Sequence, residues 1–158
     1  MPTVAESVRV EASLAEAWEL YFDPELWRAW VDGFERVESA SGYPERGGTL
    51  RWRSTPAGRG PVEERVLEHE QRRRHRVAFS DPQSEGELLT SFEIAAAGEG
   101  EAGTTVEQEL TYRLTEAGPL TRLTDALFIR PQIRRSLRRS LEHFRLELEE
   151  RTEAREGR

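Results

Sequence analysis

Apolar residues follow two different rhythms along this chain. Val4, Val8 and Val10 share one parity and predict a first strand over residues 4–10. Ser13 then stands as an N-cap with Glu16 three residues on, the spacing of a capping box, and Leu14, Trp18 and Tyr21 (or Phe22) make a narrow helical stripe. Asp23-Pro24 opens a second, short helix, because proline at the first helical position gives up no hydrogen bond. Leu26, Trp27, Trp30 and Val31 supply its apolar face, and Gly33 ends it. From Phe34 to Leu114 the period becomes two, with turns at Gly42–Gly48, Pro56–Pro61, Asp81-Pro82 and Gly98–Gly103. After Gly118-Pro119 the period returns to helical: Ile133, Leu137, Leu141, Phe144 and Leu148 lie on one face of a long amphipathic helix. Pro131 cannot donate to the Leu127 carbonyl, so a kink or break is expected there, and the polar tail after Arg151 is expected to fray.

The order is strand, two short helices, about six more antiparallel strands and one long helix, which defines an α+β fold. A curved antiparallel sheet with one apolar face needs a cover, and only the C-terminal helix is long enough to lie across it. No internal repeat or linker interrupts the pattern. Residues 1–158 read as a single domain, with order expected over about 4–151 and residues 152–158 frayed.

Charge adds one restriction. The 158 residues carry 30 acids against 23 bases, all of the latter arginine, for a net charge of −7. Such a chain is repelled by nucleic acid and by anionic membranes, so no nucleic-acid partner is expected. Two clusters run against the trend, Arg72, Arg73, Arg74 and Arg76, then Arg134, Arg135, Arg138 and Arg139. Glu68, Glu70, Glu142, Glu147, Glu149 and Glu150 stand ready to pair with them, with Arg138/Glu142 and Arg145/Glu149 at helical i,i+4 spacing. The chain has no cysteine, which excludes disulfides, thiolate nucleophiles and cysteine-ligated zinc. No apolar run nears the roughly 18–20 residues of a membrane helix, and the first residues resemble no secretory signal. A cytoplasmic location, with no integral membrane association, is the expectation.

Short motifs contribute little chemistry. Gly98-Glu99-Gly100-Glu101-Ala102-Gly103 spells a dinucleotide fingerprint, but a strand follows it and two glutamates would repel phosphate, so a hairpin loop is expected. His69-Glu70 lacks the second histidine of HExxH, His75 lying six residues on, and neither a metal nor another cofactor is expected. His143 reads as edge packing. No GxSxG elbow is present. Trp18 and Trp30 read as core, whereas Trp52 fits core and pocket wall equally. The informative positions are polar residues of inward parity: His75 with Val77 and Phe79, Thr90 with Phe92 and Ile94, Gln108 and Tyr112 with Val106 and Leu110, and Glu64 with Val62 and Val66. Buried polar groups need partners, which an internal network or a ligand would supply.

Val8-Arg9-Val10-Glu11-Ala12-Ser13-Leu14-Ala15-Glu16-Ala17-Trp18, then Asp23-Pro24 and Trp27 through Trp30, resembles the opening of the START/SRPBCC superfamily. Gly118-Pro119-Leu120 at the entry to the last helix is similar to its polyketide cyclase/dehydrase and lipid transport branch. The resemblance implies a helix-grip fold with a hydrophobic cavity between sheet and long helix, and it imports no catalytic set. Residues expected at such a cavity are Trp52, Glu64, His75, Phe79, Thr90, Phe92, Gln108, Leu110, Tyr112, Leu127, Ile133 and Leu137. The leading expectation is binding of a small hydrophobic or aromatic molecule. The alternatives are a cyclase/dehydratase-like enzyme, with His75, Glu64 or Tyr112 moving protons, and a chaperone-associated interaction module presenting an arginine face.

Overall fold

A computed structural model describes residues 1–55, 58–95, 103–116 and 118–157. β1 (Thr3–Val10) leads into α1 (Leu14–Tyr21), a 3-10 turn (Pro24–Leu26) and α2 (Trp27–Trp30). Six strands follow: β2 (Phe34–Ser41), β3 (Thr49–Ser54), β4 (Pro61–Glu70), β5 (Arg74–Ser80), β6 (Ser84–Ile94) and β7 (Thr104–Leu114). The C-terminal helical stretch comprises α3 (Pro119–Thr124), a π turn (Asp125–Ile129) and α4 (Arg130–Glu156). The seven strands make one antiparallel sheet in the order β1-β7-β6-β5-β4-β3-β2. The chain therefore leaves one edge of the sheet at β1, crosses as α1 and α2, and enters the opposite edge at β2. This is the expected helix-grip architecture.

Local chemistry explains the short elements. The Ser13 hydroxyl accepts from the Glu16 N–H at 3.2 Å, starting α1. The Asp23 carboxylate accepts from the Glu25 N–H at 3.2 Å, with Pro24 in the first turn behind it. Gly33, at φ +72°, reverses the chain into β2 in a backbone region that side chains disfavour. Gly86 permits a close approach of β6 to β7, since a Cβ there would stand 2.0 Å from the Thr111 carbonyl oxygen. A bulge between Val66 and Glu68 resets the parity of β4, so that His69 pairs with His75 and shares its face.

Helix α4 buries Leu141, Phe144 and Leu148, with Ile133 and Leu137 partly covered, which is the expected stripe. It lies chiefly against β1 and α2. Phe144 meets the Trp30 ring edge-on at 5.0 Å. Ser140 shares this face: its hydroxyl accepts the Asp32 N–H at 2.8 Å, and Ser136 donates to the Asp32 carboxylate at 2.8 Å. The interruption expected at Pro131 takes the form of the π turn just before it, where the missing N–H changes the hydrogen-bond register. α4 continues past Arg151 to Glu156, and the Thr152 hydroxyl donates to Glu16 of α1 at 2.8 Å.

The arginine clusters are mostly ion-paired. Arg73, Arg74 and Arg76 meet Glu68, Glu70 and Glu87. Arg145 pairs with Glu149 as expected, but Arg138 bypasses Glu142 for Glu6 on β1 at 3.0 Å, and Glu142 pairs with Arg145 instead. Ile94 departs from its expected inward parity: as the last residue of β6 it is exposed. Pro56 and the glycine-rich segment at 98–102 lie outside the described residues, although β6 and β7 on either side of that segment pair as a hairpin would.

Truncating Phe144 to alanine should cost about 3–5 kcal/mol in urea denaturation, the usual effect of a large aromatic cavity. Exposed Leu146→Ala on the same helix should stay within about 0.5 kcal/mol. Equal effects would mean that α4 does not grip the sheet through this stripe.

Candidate functional site

One transverse row of the sheet carries most of the inward polar residues. His69, His75, Thr90, Gln108 and Glu6 stand opposite one another across β4, β5, β6, β7 and β1. The Tyr21 hydroxyl, delivered by the end of α1, reaches this row. It lies 2.8 Å from the Thr90 hydroxyl and accepts from the Gln108 amide at 3.2 Å. Burial pushes the Tyr21 phenol up to about 12, so it stays neutral and remains a donor. Tyr112 has a separate partner. Its hydroxyl donates to buried Asp125, whose other oxygen takes Arg130 at 2.8 Å. Burial, reinforced by that carboxylate, pushes Tyr112 up to about 12. Thr90, Gln108 and Tyr112 are thus satisfied by the protein itself.

His75 is different. It is buried, its Nδ1 lies 2.9 Å from Nδ1 of His69, and its Nε2 is buried with no hydrogen-bond partner. An Nδ1–Nδ1 contact requires one ring to donate and the other to accept, so one ring must be an Nδ1–H tautomer and both cannot be doubly protonated. Burial, with His69 adding to it, pushes His75 down to about 3, and burial lowers His69 as well against the pull of Glu45. Aromatic rings surround His75: Phe22 at 4.8 Å and Tyr43 at 5.7 Å, both edge-on. Tyr43 comes from the β2–β3 turn and is raised well above the usual phenol range by burial and by the charge of Glu64.

Glu64 lies in the next part of the same face, between Leu50 on β3 and Phe79 on β5. Its carboxylate accepts the Trp52 indole N–H at 2.9 Å. Burial raises its pKa despite the opposing pull of the Arg59 guanidinium. Arg59 stacks 4.8 Å from the Phe79 ring and 5.6 Å from the Trp52 ring, and it donates to Asp81 at 2.9 Å. Behind this part of the sheet an open hollow of about 540 Å³ is lined chiefly by residues of outward parity, among them Arg51, Glu63, Arg65, Ala78 and Ser80, so it belongs to the opposite face from the Glu64 carboxylate. Among the described residues, no group of three or more histidine, aspartate or glutamate side chains is placed to hold a metal ion.

Of the residues singled out by sequence, Trp52, Glu64 and Phe79 come together, and His75 joins Thr90 and Gln108. Phe92 supports that row from beneath, edge-on to Trp18 at 5.0 Å and Tyr21 at 5.4 Å. Leu110, Ile133 and Leu137 sit partly buried at the margin of the core. Leu127 does not join them: it is 58% exposed, because the π turn presents Asp125 to the interior in place of a leucine. Trp18 and Trp30 are core, as expected. Sequence reasoning missed Tyr43, Phe22 as a wall of the His75 pocket, Tyr21 as the centre of the polar row, and Arg59. The signal for Tyr43 was present, as an aromatic in an otherwise polar, glycine-rich turn.

A curved antiparallel sheet gripping a long C-terminal helix, with aromatic and polar groups on its inner face, defines a helix-grip protein of the SRPBCC type. The sequence model of the family described as polyketide cyclase/dehydrase and lipid transport matches residues 1–149, and the chain belongs to that family. No curated protein sequence matches it significantly. Among solved structures, a Thermus thermophilus protein is similar at 22% identity and TM-score 0.62, over 93% of this chain and 97% of that one. A Rhodobacter sphaeroides protein is similar at 18% identity and TM-score 0.65, over 92% and 91%. Truncated norcoclaurine synthase from Thalictrum flavum is similar at 13% identity and TM-score 0.62, over 90% of each chain. At these identities the likeness concerns the fold. No helix among the described residues is long and apolar enough to cross a membrane.

Two outcomes follow from this geometry. His75 takes up its proton near pH 6.5 when unfolded but only near pH 3 when folded. Between those values the unfolded chain binds more protons, so the contribution of His75 is complete above pH 6.5 and falls as pH drops, by up to about 1.4 kcal/mol per pH unit. In urea melts from pH 7 to 5, His75→Phe should show a shallower decline than the parent chain, and parallel curves would contradict the burial of a neutral imidazole. Separately, Tyr21→Phe should cost about 1–3 kcal/mol, because it strands Thr90 and Gln108; a neutral result would mean that the polar row is not held by this hydroxyl.

Proposed function

We propose that the protein binds a small, largely aromatic or hydrophobic molecule carrying one polar oxygen, held on the inner face of the sheet between His75, Tyr43 and Glu64. The observation that carries this reading is the buried Nε2 of His75, which has no partner although the other inward polar side chains of its row have one. A buried nitrogen without a partner is costly in a core built only for stability. The surrounding Phe22, Tyr43, Trp52 and Phe79 rings supply the apolar contact that such sites use, with a few placed polar groups setting orientation. Membership of a polyketide cyclase/dehydrase and lipid transport family supports the same class of ligand.

A second reading, proton-transfer chemistry of the cyclase/dehydratase kind, is favoured by one observation. Glu64 has a carboxyl whose pKa is raised by burial and whose charge is felt by both Tyr21 and Tyr43, so it could exchange a proton with a bound molecule nearer neutrality than an ordinary carboxylate.

The test compares 2-naphthol with naphthalene by fluorescence titration. His75→Leu should weaken 2-naphthol about tenfold, the loss of one buried hydrogen bond, and leave naphthalene nearly unchanged. Equal affinities of the parent chain for the two molecules, or no binding of either, would overturn the reading. In the same titration Glu64→Gln should keep binding and raise the melting temperature, since it removes a buried charge while retaining an acceptor for Trp52.

A further inference from the structure

The entry to the long helix has its polarity reversed. Leu120, Leu123, Leu127 and Phe128, on α3 and the π turn, are 79%, 57%, 58% and 67% exposed, whereas the one acid among them, Asp125, is buried. A surface helix ordinarily turns its leucines in and its acids out. Here the Asp125 carboxylate is clamped by the Tyr112 hydroxyl and by Arg130, which fixes the turn with its acid inward and its leucines and phenylalanine outward. Four large apolar side chains held out on one short segment constitute a surface feature that needs a partner.

Charge identifies the kind of partner. Although the whole chain carries −7, residues 118–141 hold six arginines and no acid besides Asp125. Arg134 and Arg138 share Glu6, and Arg139 meets Asp32, while exposed Arg122 and Arg135 have no ion pair among the described residues. The exposed Leu120, Leu123, Leu127 and Phe128 are followed within about two turns by exposed Arg134 and Arg135 at the start of α4, so apolar and cationic groups adjoin along the entry to the helix. The side chains project from a helical turn, and neither that turn nor its leucines line the hollow behind the sheet. A second copy of the chain would bring arginine against arginine across such a face, whereas a bilayer accepts projecting apolar groups and offers phosphate to the arginines around them.

We propose that the α3–π-turn segment is a docking surface for anionic lipid bilayers, with Leu120, Leu123, Leu127 and Phe128 entering the interface and Arg122, Arg134 and Arg135 meeting lipid phosphates. This goes beyond the ligand-binding reading and does not depend on it. It fits a protein that receives or delivers an apolar molecule at a membrane surface.

The experiment is flotation of the full chain with vesicles of phosphatidylcholine and phosphatidylglycerol in a 4:1 ratio, against pure phosphatidylcholine, at low salt. The parent chain should partition at least about tenfold better onto the anionic vesicles, and Leu127→Ser with Phe128→Ser, or Arg122→Glu with Arg135→Glu, should abolish that preference. The chain has no cysteine, so Phe128→Cys can carry a single environment-sensitive dye. Its emission should shift to the blue with anionic vesicles, and the same dye at exposed Ile94→Cys should not respond. No preference for anionic vesicles, equal responses at the two labelled positions, or a dimer in sedimentation that Leu127→Ser with Phe128→Ser dissolves would each overturn the proposal.

Discussion

An apolar concave sheet face must be covered, and in this chain the cover is divided. Helix α4 lies chiefly along β1 and α2, fixed there by its Leu141–Phe144–Leu148 stripe and by the Ser136 and Ser140 contacts to Asp32. The opposite half of the face, over β3 to β5, receives side chains instead of a helix: Phe22 from the residue that caps α1, Tyr43 from the β2–β3 turn and Arg59 from the β3–β4 loop. Side chains make a different cover from a helix, and His75 and Glu64 both lie beneath this half, among those aromatic and cationic groups. The position of the candidate site follows from where the helix does not reach.

Polar accounting then separates structure from function. Of the inward polar residues, Thr90 and Gln108 meet Tyr21, Tyr112 meets Asp125, and Glu6 meets arginines from α4. These groups confer specificity for one arrangement of α1, the sheet and the terminal helix, because each is satisfied only in that arrangement. His75 and Glu64 do not fit this pattern. One keeps an unpartnered buried nitrogen, and the other keeps a carboxyl whose charge burial disfavours. Both stand on the half of the face that lacks the helix.

The fold was legible because strand alternation and the Ile133-to-Leu148 stripe are local properties, and because a long amphipathic helix and a one-sided sheet have few ways to satisfy each other. Inward parity was legible at Thr90, Gln108 and His75 for the same reason. Their partners were not, since Tyr21 reaches them from another element and its ring competes with neighbouring Phe22 for the inward position. Leu127 misled because helical periodicity was carried through Asp125–Ile129, where a π turn and a buried carboxylate reset it. Tyr43 was hidden by its setting: nothing periodic in a glycine-rich turn tells which way a side chain folds. The Arg138/Glu142 spacing was real but lost to a tertiary partner, Glu6, because weak i,i+4 attraction yields to a less exposed carboxylate on β1.

In the proposed complex His75 offers a neutral, otherwise unpartnered nitrogen to the bound molecule. The direct measurement is the imidazole nitrogen NMR spectrum of chain labelled with ¹⁵N-histidine, recorded at pH 6 with and without saturating 2-naphthol. His75 should give the signals of one neutral tautomer, and its Nε2 resonance should move on binding while exposed His143 stays in place. A protonated His75 at pH 6, or a 2-naphthol response seen at His143 and not at His75, would contradict the account.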